Sequence, residues 1–85
     1  MDLERLFARI STGVVSNVRF TDLVRLIEAL GFREIGGRGS HRVFARDGVD
    51  ELLNLQEVRG QAKPYQVRQV VALTRKYDLG LEDES

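Results

Sequence analysis

The chain has 85 residues, a formal net charge of zero, 42% hydrophobic and 31% charged residues, which suits one small globular domain rather than a disordered chain. It contains no cysteine, so disulfide scaffolds, thiol nucleophiles and thiolate metal sites are excluded, and the composition fits a reducing, cytoplasmic environment. No apolar run approaches the ~20 residues of a membrane span, and the N-terminal segment, charged from its second residue, is not expected to be a signal peptide.

Two amphipathic helices are predicted first along the chain. Apolar residues recur at the i, i+3, i+4, i+7 spacing in residues 3–10 and again in residues 23–30. Thr21 is placed to cap the start of the second helix through its side-chain oxygen. Gly31 follows the last apolar residue, where a left-handed cap favours glycine, so we expect the helix to end there.

Three short strands are predicted next. They are "FREI" (32–35), "SHRVFAR" (40–46) and "ELLNLQ" (51–56), separated by turn signals at "GGRG" and "DG". Their close spacing favours an antiparallel meander. Strand alternation puts Leu53 and Leu55 on one face of the third strand.

The middle strand contains the chain's single histidine, His41. Alternation groups His41, Val43 and Ala45 on one face and Arg42, Phe44 and Arg46 on the other. Because Phe44 is the largest apolar group, we expect it to be buried and His41 to lie on the open face. Arg42 and Arg46 would then keep their charged groups in water at the margins of the sheet.

A third helix is the clearest prediction. Pro64 suits its first turn, and Gly80 is expected to end it. One apolar stripe is expected to face the core, and it consists of Val67, Val70, Val71, Thr74 and Tyr77 with Leu73 beside it. The acidic tail "LEDES" has no pattern and is expected to be frayed.

Together these elements predict a two-layer α+β domain. Both flanking helices need an apolar surface, so we expect them to cover one face of a three-stranded antiparallel sheet. The other face is then open to solvent or to a ligand.

The charge of the chain is unevenly placed. Residues 33–76 contain nine basic and five acidic residues, a net charge of +4, whereas the remainder has a net charge of −4. The basic middle could attract a polyanion, or its charges could be ordinary solvated groups. Metal catalysis has little support, because one histidine and no cysteine leave only carboxylates as further ligands.

Cleavage of RNA is compatible with this small set of residues. RNA carries its own nucleophile, the 2′-hydroxyl, so an enzyme needs a proton acceptor, cations and correct positioning. Arg38 lies shortly before His41 in the sequence, and Arg42 directly follows it. The glycines nearby let a nucleic-acid backbone approach closely. An ordinary strand residue is the alternative for a single histidine.

Three segments give the chain a resemblance to a known family. They are Leu-Gly-Phe at 30–32, Gly-Ser-His at 39–41, and the run "AKPYQV" at 62–67 that enters the last helix. In this order and spacing, over about residues 19–79, they resemble the HicA toxins, which are small mRNA interferases of type II toxin–antitoxin pairs.

The resemblance implies a fold similar to the double-stranded RNA-binding domain, with the order α-β-β-β-α. The chain would be a single domain, 1–85, with a core at about 19–79, an N-terminal helical extension at 1–18 outside that core and an acidic tail at 80–85. It further implies metal-independent cleavage of mRNA without a cofactor. A HicB-type antitoxin would neutralise the toxin, and the complex would contact operator DNA only through the antitoxin.

The resemblance also implies the catalytic residue. The family's catalytic histidine corresponds to His41. The expected RNA-binding residues are Gly39, Ser40, Arg38, Arg42, Lys63 and Arg68. Many members have a second histidine or an apolar residue where this chain has Arg42. Either His41 therefore serves as both base and acid, or water or a Lys or Arg group assists, and Lys63 is a candidate to stabilise the developing charge.

Two other functions remain open from the sequence. A non-catalytic RNA-binding module fits the basic middle and the expected order of elements, and it predicts salt-sensitive binding without cleavage. A protein-binding partner in a complex fits the neutral total charge and the small core.

Overall fold

A computed structural model describes residues 2–81, which form three helices and a four-stranded antiparallel sheet. The helices are α1 (Leu3–Ser11), α2 (Phe20–Ala29) and α3 (Pro64–Lys76). The strands are β1 (Arg33–Arg38), β2 (His41–Arg46), β3 (Val49–Val58) and β4 (Gln61–Ala62), in the spatial order β1-β2-β3-β4. The predicted α+β class is confirmed. The tail predicted to be frayed is residues 81–85. Apart from Leu81, these lie outside the described residues.

The prediction of three strands is wrong, because β4 adds a fourth. It pairs with the end of β3 through Glu57 with Ala62 and Val58 with Gln61. Arg59 and Gly60 form the connecting turn, and both have positive φ, 52° and 79°, as a two-residue type I′ hairpin requires. Arginine is an uncommon residue at such a turn, so the usual Asn-Gly or Asp-Gly signal is missing.

β1 is longer than predicted, and the turn after it is shorter. The strand continues through Gly36 and Gly37 to Arg38, and only Gly39 and Ser40 form the turn. Gly37 has a φ of 144°, and a Cβ at this position would lie 2.2 Å from the backbone oxygen of His41. Glycine therefore allows β1 to pair closely with β2 here.

A β-bulge interrupts β1 before these glycines. Glu34 pairs with Phe44 and Gly36 with Val43, which leaves Ile35 without a partner across the ladder. A bulge bends its strand and increases the local twist. Ile35 is left 52% exposed.

The end of α2 is confirmed and its predicted cap is wrong. Gly31 has a φ of 100°, and the Phe32 N–H donates to the Ile27 oxygen at 2.9 Å, which is the Schellman arrangement. The N-cap, however, is Arg19 without a side-chain bond, so Thr21 lies inside the helix. The helix begins earlier because Phe20 is only 1% exposed and its N–H donates to the Gly60 oxygen.

α3 begins at Pro64 as predicted but does not end at Gly80. Its last helical residue is Lys76, and Asp78 has the left-handed φ, 53°. The Leu79 N–H then donates to the Thr74 oxygen at 2.8 Å. Aspartate tolerates this conformation better than most residues, so it replaces glycine in the cap.

The hydrophobic core lies between the helices and one face of the sheet. Phe44 is fully buried on that face, as predicted. Leu53 and Leu55, which were predicted to share one face of β3, are fully buried there as well. Each such side chain contributes about 1.5–3 kcal/mol on burial. The α3 stripe is confirmed as well, since all of its members except the half-buried Tyr77 are buried.

α1 belongs to the same core, although the family resemblance places it outside. Leu6 is 1% exposed and Ile10 is fully buried, and both pack in one cluster with α2 and α3. The N-terminal segment therefore completes the apolar layer. Within residues 2–81, no helix combines the length and apolar character needed to cross a membrane.

Candidate functional site

His41 is the first residue of β2 and follows the Gly39–Ser40 turn directly. Its cross-strand partners are Arg38 on β1 and Gln56 on β3. The side chain is exposed, and alternation from the buried Phe44 puts it on the face away from the helices. The expected open position of His41 is thus found.

A shallow depression of about 370 Å³ contains His41. Its lining residues are Glu34, Gly36, Gly37, Arg38, Gly39, His41 and Arg42. Four predicted site residues are therefore brought together. The glycines have no side chains, so an extended ligand backbone can approach His41 from this side.

Arg42 is held by a carboxylate. Its Nε and Nη2 donate to the two Glu34 oxygens at 2.9 and 2.8 Å, a bidentate pair that raises the pKa of Arg42 and lowers that of Glu34. The guanidinium carbon lies 5.6 and 5.5 Å from the ring centroids of Phe20 and Phe44. Arg42 thus lies at the margin of the helix-covered face, as expected from its position beside Phe44.

Arg38 differs from Arg42 in having no such partner. It is exposed, it is paired across the strands with His41, and among residues 2–81 no carboxylate lies within ion-pair distance of it. Arg38 is therefore the uncompensated cation next to the imidazole.

Ser40 is connected to β3 by a side-chain hydrogen bond. The Gln56 Nε2 donates to the Ser40 Oγ at 3.3 Å. Gln56 is also the register partner of His41, so it contacts the turn on the same face of the sheet. No sequence pattern selects Gln56, because a glutamine on a solvated strand face has no distinguishing signal.

Gln66 links α3 to the same part of β3. It is only 3% exposed. Its Oε1 accepts from the Gln56 backbone N–H at 3.0 Å, and its Nε2 donates to the Asn54 backbone oxygen at 3.1 Å. The amide therefore continues the β-ladder of β3 beyond the end of β4. The available signal was a glutamine directly before Val67, the first residue of the apolar stripe, and its function could not be inferred from it.

Lys63 and Tyr65 lie at the start of α3. Lys63 is the N-cap, and its Nζ lies 5.9 Å from the ring centroid of Tyr65. Tyr65 is 60% exposed, and its hydroxyl accepts from the Gln66 Nε2 at 3.4 Å. Lys63 does not line the depression that contains His41, so its connection to the site runs through α3.

Arg68 is not brought together with His41. It lines a separate groove of about 270 Å³ between α1 and α3, with Arg75 and apolar residues such as Ile10 and Val71. The Arg75 Nη2 donates to the Ser11 backbone oxygen at 2.6 Å across this groove. Arg68 therefore belongs to a different surface of the domain.

The fold and site define a small α+β domain with a histidine and an unpaired arginine on an open sheet face. Within residues 2–81, no three His, Cys, Asp or Glu side chains are grouped as metal ligands. Comparison of the chain with protein-family models, curated proteins and solved structures returns no match.

Proposed function

We propose that the protein is a metal-independent endoribonuclease that cleaves mRNA, a toxin of the HicA type, with His41 as its general acid and base. The observation that carries the proposal is the exposed imidazole of His41 beside the unpaired Arg38, in a depression with a glycine-rich wall. These groups match the three requirements of RNA cleavage, which are a proton acceptor, a cation and backbone access.

The proposed step uses the nucleophile of the RNA itself. His41 accepts the proton of a ribose 2′-hydroxyl, the 2′-oxygen forms a bond to the adjacent phosphorus, and the bond from phosphorus to the 5′-oxygen breaks. Arg38 stabilises the additional negative charge on the phosphate oxygens. The protonated His41 then returns its proton to the leaving 5′-oxygen.

The state of the neighbouring side chains supports assigning both proton transfers to His41. Arg42 is bound to Glu34 through both carboxylate oxygens, and a guanidinium does not release its proton in proteins. Glu34 is engaged in the same pair, and its hydrogen bonds from Arg42 lower its pKa and so favour the carboxylate form. Neither member of the pair is therefore suited to act as the second acid.

The proposed partner is a HicB-type antitoxin in the cytoplasm. The complex would bind operator DNA only through this antitoxin. Support comes from exposed apolar side chains on the sheet. Leu52 and Val58 are 52% and 41% exposed, and alternation from the buried Leu53 and Leu55 puts them on the same face as His41. A protein that covered this face would bury these residues together with the histidine.

The test compares wild type with His41→Ala, both in an induced host and as purified protein. We expect the variant to lose cleavage by about a hundredfold or more, to lose toxicity, and to keep its circular dichroism spectrum, because His41 is exposed. The matched control is Gln69→Ala, at an exposed position of α3 away from His41. This variant should cut RNA like wild type. Equal toxicity of His41→Ala, or intact RNA with both proteins, would reject the proposal.

A non-catalytic RNA-binding module is the second candidate. The observation that favours it is the small number of titratable groups that line the depression. They are His41, Arg38 and the Glu34–Arg42 ion pair, so His41 has no second acid or base beside it. This function predicts RNA retained on the protein and uncut after prolonged incubation. A denaturing gel of the RNA recovered from the complex separates it from the ribonuclease.

A further inference from the structure

We infer that the exposed ring of Tyr65 is a stacking platform for one base of a single-stranded RNA whose backbone crosses the sheet at His41. The inference rests on the proposed function, because it takes RNA as the ligand of this surface. It assigns to Tyr65 a specificity for unpaired RNA.

The exposure of Tyr65 is the first observation. Tyr65 is 60% exposed, while its neighbours Gln66 and Val67 are buried. The ring contributes nothing to the core cluster. A solvent-facing tyrosine with one free ring surface is suited to bind a flat, apolar partner.

A chain of contacts connects Tyr65 to the site. The Tyr65 hydroxyl is bonded to Gln66, whose amide holds the backbone of Gln56. Gln56 is the register partner of His41, and His41 is the partner of Arg38. We call the four positions connected in this way, Arg38, His41, Gln56 and Tyr65, the transverse row. The first three are register partners on β1, β2 and β3, and Tyr65 joins them through the hydrogen bonds of Gln66.

The dimensions of the transverse row suit a short stretch of nucleic acid. Neighbouring strands are about 4.8 Å apart, so the part from Arg38 to Gln56 spans about 10 Å. Tyr65 lies one step beyond, at the edge of β3 that Gln66 occupies. A phosphate bound between Arg38 and His41 therefore leaves the base of a nearby nucleotide within reach of the ring.

The charge near the ring also favours RNA. The Lys63 Nζ lies 5.9 Å from the Tyr65 ring centroid, and among residues 2–81 no carboxylate lies within ion-pair distance of it. A cation next to an aromatic ring is the combination by which proteins bind a backbone phosphate and an adjacent base. In a duplex the faces of the bases are already stacked, so only an unpaired base can use this ring.

The experiment measures binding by the His41→Ala protein, which keeps the RNA intact under the proposed function. The probes are a fluorescein-labelled single-stranded RNA of mixed sequence and the same RNA annealed to its complement. We expect tighter binding of the single strand. Adding Tyr65→Ala should weaken it about tenfold and leave the duplex unchanged, whereas Tyr65→Phe should stay within about twofold. Because Tyr65 is exposed, the melting temperature should be the same in all three proteins.

A second readout reports the stacking directly. With 2-aminopurine placed at successive positions of the single strand, at least one position should be quenched by the Tyr65→Phe protein and not by Tyr65→Ala. The inference is overturned if the duplex binds more tightly, if Tyr65→Ala binds the single strand like its parent, or if Tyr65→Phe loses as much as Tyr65→Ala. Loss of antitoxin binding by Tyr65→Ala with unchanged RNA affinity would also overturn it, and would make Tyr65 a protein contact.

Failure of this inference is distinguishable from failure of the proposed function. Cleavage is measured separately, with proteins that retain His41. If the protein binds the single strand through Tyr65 but does not cut it, the proposed ribonuclease function is rejected and the stacking role of Tyr65 stands. If the Tyr65→Ala variant cuts and binds RNA as well as its parent does, the ribonuclease function stands and the stacking role of Tyr65 is rejected.

Discussion

The side-chain amide of Gln66 pairs with the backbone of Gln56 as a neighbouring strand would. Its oxygen accepts the Gln56 N–H at 3.0 Å, and its nitrogen donates to the Asn54 oxygen at 3.1 Å. β4 ends at Ala62, so this part of β3 would otherwise have an unpaired edge. The first turn of α3 is thereby attached to the strand that pairs with β2 at His41.

Replacing Gln66 with leucine should lower the free energy of unfolding by about 2 kcal/mol. The variant leaves one backbone donor and one acceptor of β3 without partners. A fully buried loss costs about 1–3 kcal/mol, and because both of these bonds are part-buried we place each at about 1 kcal/mol. Chemical denaturation gives the value directly. Gln69→Leu, at an exposed position of the same helix, is the control and should be nearly neutral. Equal stabilities of the two variants would contradict the role of the Gln66 amide.

Gly37→Ala should be destabilising by about 2 kcal/mol or more, because the added Cβ meets backbone and the φ of 144° is strained for alanine. The added Cβ would lie 2.2 Å from the backbone oxygen of His41, so the pairing of β1 with β2 should weaken at the site itself. Gly36→Ala is the matched control, since no atom lies within 4 Å of its Cβ. Hydrogen exchange of the β2 amides should increase in the first variant and remain unchanged in the second.

Arg38 and Arg42 should contribute differently to RNA binding. Arg38→Gln removes an unpaired charge, so we expect the slope of log K against log salt concentration to decrease by about 1. The double variant Glu34→Gln/Arg42→Gln removes an ion pair and keeps the net charge, so its slope should equal that of wild type. Titration of a short RNA at several salt concentrations gives both slopes. A decrease in the double variant instead would show that Arg42 leaves Glu34 to bind phosphate.

Glu51 should make the stability of the domain depend on acid pH. Lys76 and Tyr77 hydrogen bond to its carboxylate and lower its pKa from 4.5 to about 2. Because the folded pKa is the lower one, the stabilisation is complete above the unfolded value of 4.5 and is lost as the pH falls towards 2.

Thermal melting of wild type and Glu51→Gln across this acid range measures that contribution. The wild type should lose more in melting temperature than the variant, and the two curves should converge at the acid end. The Glu34–Arg42 pair is present in both proteins, so it cancels in the difference. Parallel curves would mean that the Glu51 contacts do not persist in solution.

Periodicity predicted the parts of the fold that burial determines. The helix spacing of residues 3–10, the alternation that buries Phe44, and the pairing of Leu53 with Leu55 on one face are all confirmed. Each depends on which side of an element meets the core, and that is encoded locally. The open position of His41 followed from Phe44 by the same reasoning.

The errors arose where contacts distant in sequence decide the structure. Thr21 has the chemistry of a cap, but burial of Phe20 and its bond to Gly60 start the helix earlier. β4 has two residues, too few to show a period. The pairing of Gln66 with the β3 edge joins residues ten or more positions apart, and no spacing rule predicts it. The separation of Arg68 from His41 likewise depends on the orientation of α3 in the folded domain.

The bulge at Ile35 has a consequence for self-association. β1 is an edge strand, and all six of its residues are exposed, so a straight β1 could recruit a strand from a second copy. The bulge bends it, and the charged side chains of Arg33, Glu34 and Arg38 further disfavour such pairing. At the other edge, the short β4 is bonded to the segment that precedes α2, and the Gln66 amide pairs with β3 beyond it. The chain can thus expose a sheet face to a ligand while its edges disfavour edge-to-edge pairing.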